Sequence, residues 1–150
     1  MKYIKLITVI IMSSLYINVG IKHFTDPSYF LYIMPPYLPF PKLLVYLSGF
    51  LEMFFGVLLL FNKYRSFAGW GLLILLFLVF PANIYLAQSK EAQELINIST
   101  NQAILRLPFQ LPMIILAYWH TKSSNNLSFF STAGFVMSLL IFIIYNFLNL

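Results

Sequence analysis

The sequence predicts an all-α integral membrane protein in which hydrophobic helices cross a bilayer as a bundle. Hydrophobic residues make up 61% of the 150 residues and charged residues only 9%, whereas about 25% of an ordinary soluble domain is charged. A soluble chain of this length could not hide so much apolar surface, and exposing it to water would cause aggregation. The apolar residues also fall into long stretches separated by polar or proline-rich segments, as in membrane proteins.

Five apolar stretches have about the length of a membrane helix. A helix rises about 1.5 Å per residue, so about 20 residues cross the hydrocarbon core. We predict one membrane domain with spans at about 4–20, 43–61, 67–87, 103–119 and 129–147. The first and fourth are shorter and more polar, which indicates contact with protein more than with lipid. The first also resembles the start of a signal peptide, but no small-x-small cleavage motif follows it.

The segment 22–42 combines prolines with aromatic residues. Proline lacks an N–H group and disfavours helix at the preceding residue, so this segment cannot be a continuous span. The prolines are Pro27, Pro35, Pro36, Pro39 and Pro41. Because its other residues are largely apolar, we expect it at the membrane interface. It is either an aromatic belt with rigid turns or a lid over a site in the membrane.

The charges indicate orientation and exclude several classes of function. The net charge of +5 comes from scattered cations, without the basic run that a nucleic-acid surface requires. More of these cations lie on one side if the N-terminus is cytoplasmic, and this predicts a multi-pass protein of the cell membrane with that orientation. The chain has no cysteine, which excludes disulfides, thiolate metal sites and iron–sulfur clusters. With four carboxylates and no catalytic motif, it indicates neither a metal centre nor a particular reaction.

Glu52 is the most informative residue, because it lies at the midpoint of the second span. A charge at the centre of a membrane helix costs at least about 2.5–3.5 kcal/mol, so it normally faces the bundle interior and has a partner. The small residues Ser48, Gly49 and Gly56 lie on or near the same helical face and would let a neighbouring helix come close.

Four other residues could form a polar intramembrane pocket with Glu52. Asn83 follows Pro81 in the third span, and Arg106 and Gln110 share a face of the fourth. We predict a Glu52–Arg106 pair. His23, at the outer end of the first span, could pair locally with Asp26 or reach the pocket. The pocket could hold a proton, a polar headgroup or a quinone-like ring; alternatively, the buried pair could serve only to hold the bundle together.

A set of motifs in matching order over about residues 10–121 resembles the DoxX family. They are His23-Phe24, Pro27, Phe30, Pro35-Pro36, Leu38-Pro39, Pro41, Leu44-Val45, Ser48-Gly49, Glu52, Gly56, Phe80-Pro81-Ala82-Asn83-Ile84, Arg106-Leu107-Pro108-Gln110 and Ala117-Tyr118-Trp119. The resemblance implies a four-helix core, to which the segment 129–147 would add a fifth, C-terminal span. It also implies a role beside membrane oxidoreductases or as a membrane chaperone.

Three hypotheses for function follow from the residues and the resemblance. The first is an accessory or quinone- or lipid-associated subunit of a membrane redox system, with a membrane or soluble oxidoreductase as partner. Electron transfer would then need that partner or a bound quinone, since the chain offers no redox centre of its own. The second is a carrier for protons or a small solute, with Glu52 as the titrating group. The third is a structural or chaperone-like interaction protein.

Overall fold

The computed structural model describes residues 2–122, and within that range every regular element is a helix. The elements are α1 (Lys2–Thr25), α2 (Pro27–Tyr32), α3 (Pro41–Leu60), α4 (Arg65–Gln88), α5 (Lys90–Leu95) and α6 (Thr100–Thr121). The predicted all-α class is therefore confirmed for this part of the chain. The predicted fifth span at 129–147 lies outside the described residues.

Three of the helices are long and apolar enough to cross a membrane. They are α1 over Lys5–Thr25, α3 over Pro41–Leu60 and α4 over Arg65–Gln88. Many of their large apolar side chains point outward, including Phe50, Ile74 and Leu78. Such a surface suits lipid and would be unfavourable in water. The prediction of a membrane protein is confirmed at this level.

The four long helices associate as two pairs. Helix α1 packs mainly on α3 and α6 packs mainly on α4, while α3 and α4 join the two pairs. The largest buried apolar cluster takes residues from all four helices. Its members are Val9, Met12, Tyr16, Leu59, Ala68, Leu72, Leu76, Leu116, Ala117 and Trp119. This apolar core separates polar groups at the two ends of the helices.

Glycines bring α1 and α3 into close contact. A Cβ atom on Gly20 would lie 2.7 Å from the carbonyl oxygen of Gly49, and a Cβ atom on Gly49 would overlap the Cβ of His23. Small residues allow helix backbones to approach in this way where two membrane helices meet. The close approach places the His23 side chain directly against α3.

Prolines both begin and interrupt the helices. Pro27 and Pro41 lie in the first turns of α2 and α3, where a missing N–H group costs nothing. Between α1 and α3 the chain forms only the short α2 and a series of turns. Helix α4 continues through Pro81, and α6 continues through Pro108 and Pro112. Neighbouring helices can satisfy the backbone groups that such prolines leave free.

Candidate functional site

The structure brings His23 of α1 and Glu52 of α3 together. The Nε2 atom of His23 lies 3.4 Å from Oε2 of Glu52, and the two residues are 5% and 7% exposed. In the described part of the chain, Oε2 of Glu52 has no partner that meets hydrogen-bond geometry. The contact with His23 is therefore the main polar interaction available to this carboxyl group.

Hydrogen bonding determines which nitrogen of the His23 ring carries the hydrogen in the neutral form. The other nitrogen, which faces Glu52, is then an acceptor. Nδ1 lies 2.8 Å from the backbone carbonyl oxygen of Val45. Because a carbonyl can only accept, Nδ1 carries a hydrogen and donates it. The hydroxyl of Ser48 donates to the same carbonyl at 2.9 Å. In the neutral ring Nε2 is then an acceptor. A favourable contact between Nε2 and the carboxyl oxygen therefore requires a proton on one of these two atoms.

The pair can therefore hold one proton in two ways. Either neutral His23 accepts a hydrogen bond from a protonated Glu52, or an imidazolium donates to a carboxylate. A doubly deprotonated pair would place an unpaired carboxylate in an apolar interior, which is strongly unfavourable. The chemistry that this geometry supports is reversible binding of a proton between Nε2 and Oε2.

Tyr16 is the next polar group along α1 on the same side. Its side chain packs beside Gly56, one turn from Glu52. The Tyr16 hydroxyl is buried without a hydrogen-bond partner among residues 2–122. Buried hydroxyls usually have a protein or water partner.

Helix α2 packs over the His23 side chain. The Phe30 ring stacks on the His23 ring with centroids 3.5 Å apart and planes at 22°. Tyr29 contacts Phe30 edge to face, and its hydroxyl accepts a hydrogen bond of 2.6 Å from Nη2 of Arg106. The guanidinium of α6 thus holds the short helix that lies over the His23–Glu52 pair.

Asn83 of α4 and Gln110 of α6, which were also predicted as site residues, contact each other away from the His23–Glu52 pair. The Asn83 side-chain amide donates to Oε1 of Gln110 at 3.1 Å. Gln110, which is 6% exposed, in turn donates to the carbonyl of Leu76. These bonds connect α4 to α6.

The predicted pairing of Glu52 with Arg106 is wrong, because each residue has a different partner. Glu52 meets His23, and Arg106 instead binds the Tyr29 hydroxyl. Spacing along α3 and α6 placed both residues on inward faces, but α3 packs chiefly on α1 and α4. Because α6 packs mainly on α4, its arginine reaches α2 at the helix end. The predicted local role of His23 with Asp26 is likewise replaced by the contact with α3.

Sequence reasoning missed Tyr29, Phe30 and Tyr16 as neighbours of the site. Phe30 and Tyr29 lie in the segment that was expected to form either a belt or a lid, and their aromatic character was the available signal. It also missed Gln93, a buried residue of α5 whose amide donates to the carbonyl of Leu86 at 2.8 Å. Gln93 accepts from Thr100 at 2.7 Å, so it joins the end of α4 to the start of α6.

A groove of about 170 Å³ between α3 and α4 is lined by the apolar residues Leu51, Phe55, Gly71, Ile74, Leu75 and Leu78. Within residues 2–122, no three acidic or histidine side chains cluster as metal ligands would. The predicted quinone and oxidoreductase partner stay predictions.

Comparison with known proteins corrects the predicted family. The model of a family described as a domain of unknown function (DUF8561) matches residues 12–121, which is most of the chain. No curated protein and no solved structure matches. The expected membership of the DoxX family is therefore wrong. Prolines at helix starts, small residues at helix contacts and one buried acid meet packing needs that many small membrane bundles share, so these motifs do not identify one family. The chain belongs to the DUF8561 family.

Proposed function

We propose that this protein is a multi-pass membrane carrier for protons, alone or together with a small solute, and that the His23–Glu52 pair is its proton-binding site. The observation that supports this most directly is the contact between a buried imidazole nitrogen and a buried carboxyl oxygen at 3.4 Å. Ionisable groups inside a membrane bundle are costly, and they commonly serve as proton relays.

The histidine partner of Glu52 favours reversible proton binding over a permanently charged ion pair. A lysine or arginine beside Glu52 would keep the carboxylate charged, whereas histidine readily exists in both neutral and charged forms. The neutral pair with one shared proton has no net charge and fits the apolar interior. Loss or gain of that proton changes the charge of the site, which is how a carrier couples occupancy to conformation.

The proposed topology includes α6 as a fourth span. Helix α6 has 22 residues, enough to cross the hydrocarbon core, and it packs along α4. Several of its polar side chains are buried within the bundle, among them Gln110 and His120. Polar residues that face other helices lower the hydrophobicity of a span without exposing charge to lipid. The proposal includes a cytoplasmic N-terminus, and the fifth span at 129–147, outside the described residues, stays a prediction from the sequence.

Helix α2 offers the route of access in this proposal. His23 lies near the end of α1, and Phe30 covers its ring. Movement of α2 away from α1 would open His23 to the face of the membrane where Asp26 lies. The apolar core between α1, α3, α4 and α6 closes the other direction. In this conformation a proton would therefore exchange only with the face where Asp26 lies, and transport would need a second conformation in which the apolar core opens to the other face.

The test is proton flux into liposomes that contain the purified full chain and a trapped pH-sensitive dye. Flux under an imposed pH gradient and a potassium diffusion potential should exceed that of protein-free liposomes. Glu52→Gln should reduce it to the protein-free background, because an amide cannot release a proton. Its N–H can still donate to His23 Nε2, so the bundle should keep its fold.

The matched control is Glu94→Gln, which changes an exposed carboxyl group on α5. It should leave the flux unchanged. Unfolding of each variant in detergent separates a transport role from a purely structural one. Full flux in a folded Glu52→Gln protein would overturn the proposal, and so would wild-type liposomes that are no more permeable than empty ones.

A further inference from the structure

A second polar cluster lies at the opposite end of the helices. It comprises Lys5 of α1, Arg65 at the start of α4, and Trp119 and His120 near the end of α6. Lys5 is 8% exposed, Trp119 8% and His120 only 1%. Ionisable side chains are seldom so deeply buried without a specific partner.

Contacts join these four residues into one group. Nζ of Lys5 lies 5.9 Å from the centre of the Trp119 ring, and that ring stacks on His120 at 5.5 Å. The hydroxyl of Ser66, the residue after Arg65, donates to the Thr121 carbonyl at 2.8 Å, so the start of α4 lies against the end of α6. The two cations also donate to carbonyls at helix ends, Lys5 to Lys122 at 2.7 Å and Arg65 to Leu59 at 3.0 Å.

Helix capping does not use all the donors of the cluster. Neither ring nitrogen of His120 has a hydrogen-bond partner among residues 2–122, and Nε1 of Trp119 has none either. Lysine and arginine carry further N–H donors beyond those that meet the carbonyls. Buried donors in proteins are nearly always satisfied. Among residues 2–122, these donors of the cluster therefore have no acceptor.

The chain cannot supply an acidic side chain at this place. Its four carboxylates are Asp26, Glu52, Glu91 and Glu94. Glu52 contacts His23, and the other three belong to the end of the molecule that carries α2 and α5. The two cations thus have no acidic side chain beside them, and a ligand with negative charge would satisfy both the charge and the free donors.

We propose that Lys5, Arg65, Trp119 and His120 bind an anionic phosphate group. Lysine and arginine both suit phosphate oxygens, and an indole N–H adds a neutral donor. The cluster lies where α1 begins and α6 ends, at the level of a membrane face, so a phospholipid headgroup and a free phosphate ion share the required chemistry. The apolar core containing Val9 and Met12 separates this site from His23 and Glu52. The inference is independent of the proposed proton transport.

Tryptophan fluorescence can report binding, because the chain has only two tryptophans. In a Trp70→Phe background, Trp119 is the remaining fluorophore and lies in the site itself. The full chain is placed in nanodiscs of phosphatidylcholine with increasing fractions of phosphatidylglycerol. Saturable change in Trp119 emission is the expected result. A separate titration adds inorganic phosphate to protein in pure phosphatidylcholine.

The variants distinguish a built site from general surface charge. Lys5→Gln should weaken the response at least about tenfold, the loss expected for one charge-assisted hydrogen bond. Lys5→Arg should largely retain it. Lys63→Gln removes an exposed cation at the same end and should have little effect.

Each outcome decides the inference. Saturation by phosphatidylglycerol alone identifies a lipid headgroup, and saturation by inorganic phosphate identifies a soluble phosphate ligand. Equal emission in both lipids without a response to phosphate would overturn the proposal. Equal loss in Lys5→Gln and Lys63→Gln would also overturn it, since that pattern reflects surface potential. If Lys5→Gln fails to fold, His120→Gln in the same background provides the comparison.

Discussion

At the scale of single residues, the partner of Glu52 determines what the buried acid can do. An arginine would fix the carboxylate in its charged form, whereas His23 allows the pair to hold one proton in either of two places. The Val45 carbonyl fixes the orientation of the ring, so Nε2 faces Oε2 of Glu52. Breaking such a buried pair by removing one partner costs about 3–5 kcal/mol. Glu52→Gln avoids much of that cost because its amide still donates to His23.

Gly49 should be the glycine least tolerant of substitution in α3. In Gly49→Ala the added methyl overlaps the Cβ of His23, so α1 must move away. We expect a loss of about 1–3 kcal/mol in the free energy of unfolding, as for other overpacked contacts. Gly56→Ala is the matched control, because its Cβ would lie 3.1 Å from a flexible Ile17 side-chain atom. Unfolding in detergent measures both. Equal stability of the two variants would contradict the close α1–α3 contact.

At the scale of elements, the short helix α2 depends on side chains from other helices for its position. It has only six residues and no side-chain hydrogen bond at its N-cap. An isolated helix of this length is not stable in water. The contacts of Phe30 with His23 and of Tyr29 with Arg106 hold it in place. A change at Tyr29 should therefore act on the whole element.

Tyr29→Phe should loosen α2 while leaving the four long helices intact. The variant removes the hydroxyl that accepts from Arg106, a bond to a charged group worth about 1.5–3 kcal/mol. We expect amide hydrogen exchange in Pro27–Tyr32 to accelerate by about tenfold or more. Tyr32→Phe on the same helix is the control, since Tyr32 is 43% exposed and its exchange should stay unchanged. Identical exchange in both variants would show that the Arg106 contact does not hold α2.

At the scale of the whole molecule, the acidic side chains lie towards one end of the helices, whereas the cations occur at both ends. Lys5, Arg65 and the exposed Lys63 lie at the end where α1 begins, and three of the four carboxylates lie at the other. In membranes, positively charged ends tend to remain in the cytoplasm. The same distribution leaves the His120 cluster without an acidic side chain beside it. Orientation and the proposed phosphate site thus have a common electrostatic basis.

The absence of cysteine makes the proposed topology directly measurable. A single cysteine introduced as Lys63→Cys should react with a membrane-impermeant maleimide only after cells are permeabilised. Glu91→Cys should react in intact cells, because α5 lies at the opposite end. Both positions are exposed on the protein surface. Labelling of both in intact cells would exclude the antiparallel arrangement across the membrane, and a reversed pattern would place the N-terminus outside.

Composition and spacing alone determined the class of the molecule, because removing long apolar stretches from water outweighs every local preference. They also identified Glu52 as a buried residue, since a charge in the middle of a span must face other helices. Asn83 and Gln110 were selected from the sequence, but their hydrogen bond depends on how α4 packs on α6. The tertiary structure alone assigned His23 to Glu52 and Arg106 to Tyr29. Helical periodicity specifies which face of a helix is inward, whereas the neighbour that meets that face depends on contacts between segments distant in sequence, such as Gly20 and Gly49.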